Sequence, residues 1–411
     1  MNCEWLSHPL GMIANFIDYR GKTPPKTSSG IPLVTAKIVK NNTIQTPTEF
    51  IHADFYDEWM TRGIPDNGNV VFTTEAPLGE VAQIKTTEKL AFAQRIIVLQ
   101  GKADVLDDTF LLYALQYEPN RKRIEARSTG TTVFGIKSAE LKKVEIDLPD
   151  LPTQCAIAAI LSALDDKIAN NTKINRHLEQ MAQAIFKSWF VDFEPWGGVM
   201  PEGWQICTLA KIANIRHGYA FKGEYFCDTP TDYHLLTPGN FRIGGGFQTK
   251  PKYYNGPVPK NYILAEGDLV VTMTDLSKNG DTLGFSALIP ASNRYLHNQR
   301  IGLVEVNSQK AYGSYVYWLM RTEAYQKYIV NHASGSTVKH TSPRGILSFE
   351  IDLPPLSVQQ KLTSLLSGIE HTVIQNLKEN DNLATLRDAL LPQLMSGELF
   401  TTMIGGEKFD G

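Results

Sequence analysis

The sequence predicts two α/β (α+β) globular domains of the same fold, related by pseudo-twofold symmetry and joined by two long antiparallel coiled-coil helices. Three observations lead to this fold class: an internal repeat, short strand-like runs separated by turn-forming clusters, and two segments with a heptad pattern of apolar residues. The length of 411 residues, with 42% hydrophobic and 20% charged residues, is typical of a globular chain of two or three domains.

The internal repeat is collinear over most of the chain. The pentapeptide EIDLP occurs twice, and an offset of 205 aligns residues 130–154 with 335–359, ten of 25 positions being identical. The same offset places Gln94-Arg95-Ile96 on Gln299-Arg300-Ile301. Nearer the start the offset is 199, which aligns GNVVFTT with GDLVVTM. The six-residue difference predicts an insertion in the polar loop TDLSKNGDTLG of the second copy.

Each copy begins with a mixed α/β domain. The runs VVFTT and QRIIVLQ in the first copy, and LVVTMT and RIGLVEV in the second, predict strands. One helical stretch follows in each, FLLYALQYE and YVYWLMRTEAYQKYIV. TPPKTSSG is a turn cluster, and IGGGF is also predicted to be a turn, because no helix follows it to hold a phosphate.

Each copy ends with a long helix that starts after a proline-bounded segment, LPDLPTQ or LPPLSVQ. A helix of about 40 residues would be roughly 60 Å long. Apolar residues recur at the a and d positions of nearly five heptads, which predicts coiled-coil packing. The a and d positions are Ile157, Leu161, Leu164, Ile168, Leu178, Ala182, Ile185 and Trp189 in the first helix, and Leu362, Leu366, Ile369, Val373, Leu383, Leu390 and Leu394 in the second.

Two asparagines interrupt the middle of each heptad pattern. Asn171 and Asn175 occupy a and d positions of the first helix, and Asn376 and Asn380 occupy the same positions of the second. Buried amides fix the register of paired helices, since an unpaired amide in an apolar layer is costly. Antiparallel helices would pair Asn171 with Asn380 and Asn175 with Asn376. The alternative, that these side chains face solvent where the helices separate, stays open here.

These patterns predict the domain boundaries. The first domain covers residues 1–150 and its helix 151–195. The second domain covers 196–355 and its helix 356–400, followed by a tail at 401–411. Two similar domains held at a fixed separation would suit a repetitive target such as duplex DNA, where sites on one face recur about every 34 Å.

Composition narrows the function classes. The four cysteines form no CxxC pair and no histidine cluster completes a metal site, which favours reduced thiols in a cytoplasmic protein. No apolar run approaches the ~18 residues that a membrane helix needs. The sequence has no GxxxxGK[ST] phosphate loop and no Asn-Pro-Pro-aromatic box of adenine methyltransferases. A net charge of −3 means that any DNA affinity depends on local basic patches or on a partner.

The segment LPTQCAIAAILSALDDKIANNTKINRHLEQMAQAIFKSWFVDFEP resembles the central conserved region of type I restriction–modification specificity (S) subunits. ASGSTVKHTSPRGILSFEIDLPPLSVQQKL resembles the end of their second target recognition domain and the start of their distal conserved region. The resemblance covers essentially the whole chain, although the recognition domains match mainly at their edges.

The resemblance implies a subunit without catalytic activity of its own. Each recognition domain would bind one half of a bipartite target in double-stranded DNA, and the helices would set the unread spacer. Its partners would be two modification (methyltransferase) subunits and restriction (endonuclease) subunits. S-adenosylmethionine, ATP and Mg²⁺ would bind those partners, with no cofactor and no metal on this chain and no membrane association.

Candidate DNA-binding residues lie in loops at corresponding places of the two copies. Phosphate contacts require Lys, Arg, Ser, Thr or backbone amides, and base contacts require Arg, Lys, Asn or Gln. An ordinary solvated loop carries the same residue types, so this alternative stays open for each residue; Arg95 and Arg300 are equally consistent with buried structural roles. The candidates are Arg20, Lys22, Lys26, Lys37, Lys40, Thr73, Thr74, Thr131 and Thr132 in the first copy, and Arg216, Tyr219, Lys222, Asn240, Arg242, Thr272, Thr274, Lys278, Ser336, Thr337 and Lys339 in the second.

The end of the first long helix, KSWFVDF, is too aromatic to be left in water. Phe190, Val191 and Phe193 are therefore expected to pack against a recognition domain or to dock a modification subunit. Two other function classes are a coiled-coil scaffold with two protein-binding α/β domains and a stand-alone nuclease or methyltransferase. The missing motifs disfavour the last, and DNA retention by the chain with a neighbouring methyltransferase would separate the first from DNA recognition.

Overall fold

The computed structural model describes residues 5–19, 23–40, 42–130, 132–275, 277 and 279–399. The chain forms two compact units: unit 1 comprises the chain up to Asp166 together with the chain from Ala384 onwards, and unit 2 comprises Lys167–Leu383. Each unit therefore contains part of both long helices. The predicted boundaries instead set each helix apart as a segment of its own.

Unit 1 contains eleven described strands and five short helices before the first long helix. The strands are β1 (Leu6–Pro9), β2 (Ala14–Asp18), β3 (Ile31–Val34), β4 (Val39–Lys40), β5 (Thr43–Ile44), β6 (Phe50–Ile51), β7 (Val70–Thr74), β8 (Leu78–Gln83), β9 (Ala91–Phe92), β10 (Ile96–Gly101) and β11 (Glu145–Leu148). The helices are α1 (Leu10–Ile13), α2 (Tyr56–Trp59), α3 (Asp108–Ala114), α4 (Glu118–Ala126) and α5 (Ser138–Leu141), and α6 (Leu151–Phe190) continues into unit 2.

Unit 2 has the same order of elements around its main sheet. Its strands are β12 (Gln205–Thr208), β13 (Ala213–His217), β14 (Phe226–Cys227), β15 (His234–Leu235), β16 (Tyr253–Tyr254), β17 (Leu269–Thr272), β18 (Thr274–Asp275), β19 (Ser286–Leu288), β20 (Tyr295–Leu296), β21 (Ile301–Val306), β22 (Lys339–His340) and β23 (Glu350–Leu353). Its helices are α7 (Gly313–Leu319), α8 (Glu323–Asn331) and α9 (Pro343–Leu347), and α10 (Leu356–Met395) continues into unit 1.

Corresponding four-stranded antiparallel sheets form the centres of the two units. The strand order is β2-β10-β7-β8 in unit 1 and β13-β21-β17-β19 in unit 2. Both faces of each sheet are covered: Val70 and Phe72 belong to one apolar cluster of unit 1, whereas Val71 belongs to the other. This double burial explains why VVFTT lacks the alternation of apolar and polar residues that a half-exposed strand shows.

The helical stretch after each sheet is broken in two, where the sequence predicted one helix. In unit 2 the break lies between α7 and α8, and the Thr322 side chain caps α8 by accepting from the Tyr325 amide at 3.4 Å. In unit 1 a proline in the first turn of α4, preceded by the N-cap residue Tyr117, marks the start of a new helix. A capping side chain and a proline thus override the continuous apolar pattern.

The two copies of EIDLP form the last strand of each domain and lead into the long helices. β1 pairs with β11 and β12 pairs with β23, both antiparallel. A buried glutamine follows: Gln154 accepts from the Asp107 amide at 3.0 Å and donates to the carbonyls of Val105 (3.1 Å) and Pro149 (3.0 Å). Gln359 makes the matching bonds to Tyr312, Lys310 and Pro354. This glutamine, which both copies of the repeat share, therefore fixes the start of each long helix against its domain.

Each long helix also accepts a hydrogen bond from an aromatic side chain of its domain. The Tyr113 hydroxyl donates to Asp165 of α6 at 2.8 Å, and the Trp318 indole donates to Glu370 of α10 at 2.7 Å. Burial raises the pKa of Glu370, although the bonds from Ser314 and Trp318 act in the opposite direction. These pairs occupy equivalent positions, so the domain and its helix meet in the same way in both units.

The asparagine layer of unit 2 pairs α6 with α10 in antiparallel orientation. Asn171 donates to Asn380 at 2.9 Å, and Asn376 donates to Asn175 at 2.7 Å. Asn171 and Asn175 are only 1% and 2% exposed, so these amides do not face solvent. This is the pairing that the antiparallel hypothesis predicts, and in unit 1 Asp165 of α6 likewise meets Arg387 of α10 at 2.6 Å.

Several predicted heptad positions are fully buried, including Leu161, Ala182, Leu362 and Leu366, but near the end of α6 the buried face is shifted by one residue. Glu179, Phe186 and Phe190 are buried, whereas the predicted Leu178, Ile185 and Trp189 are half-buried. The reason is that α6 here packs against the domain of unit 2 as well as against α10, which widens the buried face of the helix.

Candidate nucleic-acid interface

In unit 1, several loops converge at one end of the central sheet. β2 and β7 finish where β10 begins, as the pairs Asp18–Ile97 and Thr73–Ile96 demonstrate. A hairpin closed by mutual hydrogen bonds between Thr129 and Gly135 joins the same end, because Gly135 bridges to the residue that follows β7. We call this end of the sheet, with its loops and hairpin, the sheet-end surface.

Unit 2 forms the same sheet-end surface. β13 and β17 finish where β21 begins, through the pairs His217–Gly302 and Thr272–Ile301. A second hairpin, closed between Ser334 and His340, is held there by pairing of β18 with β22. The described residues of the polar segments that the sequence singled out, around 73–74, 128–130, 132, 216–222, 272–274 and 334–340, therefore lie at equivalent ends of the sheets in the two units.

The two hairpins share a backbone conformation that requires glycine. Gly130 and Gly335 have φ values of 144° and 90°. A Cβ atom would lie 2.0 Å from the Val133 carbonyl oxygen at the first and 2.1 Å from the Val338 carbonyl oxygen at the second. The glycine of each STG or SGS segment is thus needed for a tight turn.

An arginine immediately precedes the same strand in each unit: Arg95 comes before β10 and Arg300 before β21. The carbonyl of Arg95 accepts from the Thr74 amide, and that of Arg300 accepts from the Met273 amide, both at 2.9 Å. Both side chains are exposed, so neither arginine has the buried structural role that the sequence left open. Arg95 pairs with Glu75 at 2.7 Å, whereas Arg300 forms no ion pair within the described part of the chain. The candidate set from the sequence omitted both, although the repeated Gln-Arg-Ile was the signal for them.

Basic and aromatic side chains adjoin one another on the sheet-end surface of unit 2. The half-exposed Arg216 pairs with Glu305 at 3.0 Å and donates to the carbonyl of Asn261 at 3.1 Å. The neighbouring Tyr262 ring lies 5.3 Å from the ring of Tyr219, which is 39% exposed. Lys222 is exposed and lies 3.6 Å from Glu224. Cations next to exposed rings are the combination that nucleic-acid surfaces use.

The hairpin residues of the candidate set are also accessible. Thr132, Ser336 and Thr337 are exposed, and Lys339 is half-buried. Val133 and Phe134 at the first hairpin are 54% and 57% exposed, an unusual amount of apolar surface for a loop. Arg20, Lys22, Thr131 and Lys278 lie outside the described residues.

Four of the candidate threonines are buried and are therefore removed from the set of predicted DNA contacts. Thr73 and Thr272 are fully buried, and Thr74 and Thr274 are nearly so. The Thr73 hydroxyl accepts from the Glu80 amide at 2.9 Å, and the Thr272 hydroxyl donates to the Thr274 carbonyl at 3.0 Å. These hydroxyls satisfy backbone groups where the strands end, so they position the surface without facing a ligand.

Asn240 and Arg242 are structural for a related reason. Asn240 is 2% exposed, accepts from the Thr237 amide at 2.9 Å and donates to the Lys250 carbonyl at 3.1 Å. Arg242 forms an ion pair with the buried Glu179, which also faces Arg321 at 3.4 Å. Their glycine-rich segment is a turn, closed by a bridge between Phe241 and Phe247, as the sequence predicted.

Three further lysines lie apart from the sheet-end surface. Lys26 pairs with Glu49 at 2.9 Å beside β6. Lys37 and Lys40 are exposed next to β5, in a segment that bridges to Ala82 in the half of β8 remote from the sheet end. These three stay predictions without support from a shared location.

The aromatic end of α6 belongs to the core of unit 2. The Phe190 ring lies 5.6 Å from Trp204, and the Phe193 ring lies 5.5 Å from the same residue. Phe190 is 7% exposed and Phe193 is half-buried, so both pack against the domain of unit 2 instead of docking a partner. Val191 is 42% exposed and alone of the three remains available to another protein.

The inserted loop of the second copy is held at its base by one buried carboxylate. Asp275 accepts from the Ser277 amide at 2.7 Å and from the Thr282 hydroxyl at 2.9 Å. Burial raises the pKa of Asp275, but the hydrogen bonds from Ser277 and Thr282 outweigh it and leave the pKa below its ordinary value. The acidic group is therefore engaged inside the loop and does not present a free charge.

Two segments that together make up most of the chain match one protein family. Residues 4–180 and 201–384 each match the family described as "Type I restriction modification DNA specificity domain". The chain belongs to this family. The two matches correspond to the two copies of the repeat, so the chain contains two specificity domains.

Curated relatives and a solved structure agree with the family. The chain is 27% identical over 348 residues to the type I restriction enzyme MjaIX specificity subunit of Methanocaldococcus jannaschii, covering 81% of this chain and 78% of that one. It is 24% identical over 370 residues to the HindI specificity subunit of Haemophilus influenzae, covering 74% and 80%. A type I restriction–modification S subunit from M. genitalium has the same fold, with a TM-score of 0.57 at 18% identity over 96% of both chains.

Other kinds of site find no support in the part of the chain that the structure covers. The described residues contain no group of three or more His, Cys, Asp or Glu side chains placed to hold a metal ion. None of the described helices carries a stretch long and apolar enough to cross a membrane.

Proposed function

We propose that this chain is the DNA-recognition subunit of a type I restriction–modification complex. Each specificity domain binds one half of a bipartite target in double-stranded DNA through its sheet-end surface. The single observation that carries this proposal is that the two units build the same surface but do not carry the same side chains on it: Arg95 and Thr132 recur as Arg300 and Thr337, whereas Phe134 of one unit is replaced by Lys339 of the other. A common framework with different contact residues is what recognition of two different half-sites requires.

The equivalent arginines are the candidates for phosphate contacts. Phosphate binding is the same chemistry in both half-sites, so a residue common to both surfaces suits it better than a residue that differs. Arg300 is exposed without an ion-pair partner among the described residues, and Arg216 lies on the same surface. The positive potential of these arginines is local, so DNA binding is compatible with a net charge of −3 for the whole chain.

The remaining parts of the complex are supplied by other subunits. Two methyltransferase subunits dock on the paired helices, with Val191 as one contact, and the helices fix the length of the unread spacer. Restriction subunits join to form the nuclease. S-adenosylmethionine, ATP and Mg²⁺ bind these partners, and the complex works in the cytoplasm.

The decisive experiment maps methylated adenines in DNA from cells that express the chain with its modification partner. The expected result is a two-part motif with a constant spacer. Methylation without a two-part motif, or retention of a protein ligand but no DNA by the assembled complex, would overturn the proposal in favour of a protein-binding scaffold.

A second measurement tests the arginines in the assembled methyltransferase. Arg300→Ala should weaken DNA binding for all sequences alike, and should reduce the log–log salt slope by about one. Lys310→Ala is the matched control, since Lys310 follows β21, at the opposite end of the same sheet, and should leave binding unchanged. An unchanged salt slope for Arg300→Ala would remove this residue from the interface.

A further inference from the structure

We propose that one position of the sheet-end hairpin contacts a base in each half-site, and that its residue type sets the base preferred there. The position is Phe134 in unit 1 and Lys339 in unit 2. This inference rests on the proposed function and assigns a specificity-determining residue within it.

The two residues occupy the same place in the same structure. Phe134 precedes Gly135, which exchanges hydrogen bonds of 2.8 and 3.0 Å with Thr129. Lys339 precedes His340, which exchanges bonds of 2.9 and 2.8 Å with Ser334. The hairpins also join their sheets alike, because the amides of Ile136 and Thr341 both donate at 3.0 Å to the end of the central strand. The backbone is therefore held constant while the side chain changes.

The exposure of Phe134 has no explanation within unit 1. It is 57% exposed next to Val133 at 54%, on a short turn whose shape is fixed by Gly130. An exposed pair of large apolar side chains beside polar threonine marks a contact surface. Its setting points to the ligand: the adjoining Gly135 packs against Glu75, whose carboxylate pairs with Arg95. The hairpin that carries Phe134 is therefore joined to the segment whose carboxylate holds Arg95, so a base contact and a phosphate contact could come from one surface.

The chemistry of the two residues predicts different base preferences. A phenylalanine offers apolar contact and fits the C5 methyl group of thymine at the edge of the major groove. A lysine donates hydrogen bonds and fits the O6 and N7 acceptors of guanine. Lys339 forms no ion pair with the other described residues, so its ammonium group is available for this contact. We expect thymine opposite Phe134 and guanine opposite Lys339.

The first test exchanges the two residues and maps the methylated motif of the complete complex in cells. Phe134→Lys should change the preferred base at one position of one half-site only, and Lys339→Phe should change one position of the other half-site only. Each should lose roughly tenfold of its original base preference. The spacer and the untouched half-site should stay the same.

Met12→Lys is the matched control for added charge. Met12 is 67% exposed in α1, which lies at the start of β2, at the opposite end from the sheet-end surface. It should leave the motif unchanged. A change in the motif with Met12→Lys equal to that with Phe134→Lys would mean that bulk charge, and not the hairpin position, decides the outcome.

The second test measures the thymine contact directly with purified complex. The thymines of the half-site are replaced one at a time by deoxyuridine, which removes only the methyl group. Replacement of the thymine opposite Phe134 should weaken binding about fourfold. Phe134→Ala should bind the thymine and deoxyuridine duplexes equally well, because the methyl group has lost its partner. Equal sensitivity of the wild type and Phe134→Ala to deoxyuridine would overturn the assignment.

The outcomes separate this inference from the proposed function. A wild-type complex without a two-part motif would refute the proposed function itself. A two-part motif that stays unchanged in both Phe134→Lys and Lys339→Phe would refute the hairpin assignment and leave the proposed function intact. Thermal melting of each variant at the wild-type temperature would establish that the exposed substitutions have not unfolded the domain.

Discussion

At the scale of single residues, the loss of a carboxylate affects stability more at a buried ion pair than at an exposed one. Glu179 of α6 is 5% exposed and lies between Arg242 and Arg321, the latter with 3% of its side chain exposed. Removal of the shared carboxylate would leave the buried Arg321 and the partly buried Arg242 without their counterion. Exposed pairs such as Lys327–Glu323, at 71% and 78% exposure, keep their hydration when they are broken.

Glu179→Ala should therefore destabilise unit 2 by about 3–5 kcal/mol, because it leaves buried charge uncompensated. Urea unfolding at pH 7.5, followed by tryptophan fluorescence, measures the effect. The control Glu323→Ala should give an unfolding curve that superimposes on the wild type. Two superimposable curves for Glu179→Ala and Glu323→Ala would mean that the triad contributes no net stability.

A buried histidine makes the stability of unit 2 depend on pH. Burial lowers the pKa of His297 from 6.5 to about 4, and Arg216 and His217 act in the same direction. Because the folded state resists protonation more than the unfolded state does, its contribution is complete above pH 6.5 and is lost as the pH falls towards 4. A pKa that falls from 6.5 to about 4 corresponds to a loss of stability on the order of 3 kcal/mol at acid pH.

Urea midpoints between pH 7.5 and 4.5 should therefore fall in the wild type, and the fall should be smaller in His297→Gln, which has no group to titrate. His332→Gln, at an exposed position, is the control and should keep the full pH dependence. The same slope for His297→Gln as for the wild type would show that other groups cause the acid sensitivity. Since the His297 carbonyl accepts from the Tyr219 amide at 2.8 Å, acid should also loosen the sheet-end surface.

At the scale of elements, the start of each long helix depends on a single amide side chain. Gln154 and Gln359 are 1% and 0% exposed, and each satisfies one backbone N–H and two carbonyls at the junction between domain and helix. No apolar residue of the same size can replace these bonds, because the backbone groups would stay buried without partners.

Gln359→Ala should accordingly lower the free energy of unfolding of unit 2 by about 1–3 kcal/mol through the unsatisfied groups of Tyr312, Lys310 and Pro354. Gln360→Ala changes the neighbouring exposed residue of the same helix and should have no measurable effect. Equal chemical-denaturation curves for these two variants would contradict the role assigned to the buried amide.

At the scale of the whole molecule, the repeat implies that each specificity domain acts on its own half-site. Replacement of residues 1–150 by the matching segment of another family member should change one half of the methylated motif and leave the other half intact. Sequencing of methylated adenines in the host DNA measures this. A change in both halves would mean that the two domains do not recognise DNA independently.

The architecture was accessible from the sequence because its signals are local. The EIDLP repeat, the central strands and the 40-residue helices each follow from neighbouring residues. Residue roles depended on distant partners: Arg242 resembles a loop cation until Glu179, 63 positions away, is found beside it. Thr272 resembles a surface hydroxyl until the strand end folds around it. For Arg300 the sequence allowed a buried structural role, and only the register of the sheet places this residue beside the hairpin and loops of the sheet-end surface.

The pairing of β1 with β11 has an evolutionary consequence. Leu6 lies opposite Leu148 and Pro9 opposite Glu145, so everything between these strands leaves and returns through one two-stranded stem. β12 and β23 form the same stem in the other copy. A segment whose ends are adjacent can be exchanged without reshaping what surrounds it. Recombination between genes that share the EIDLP stem would thus deliver a new DNA target as one cassette, with the helix junction inherited unchanged.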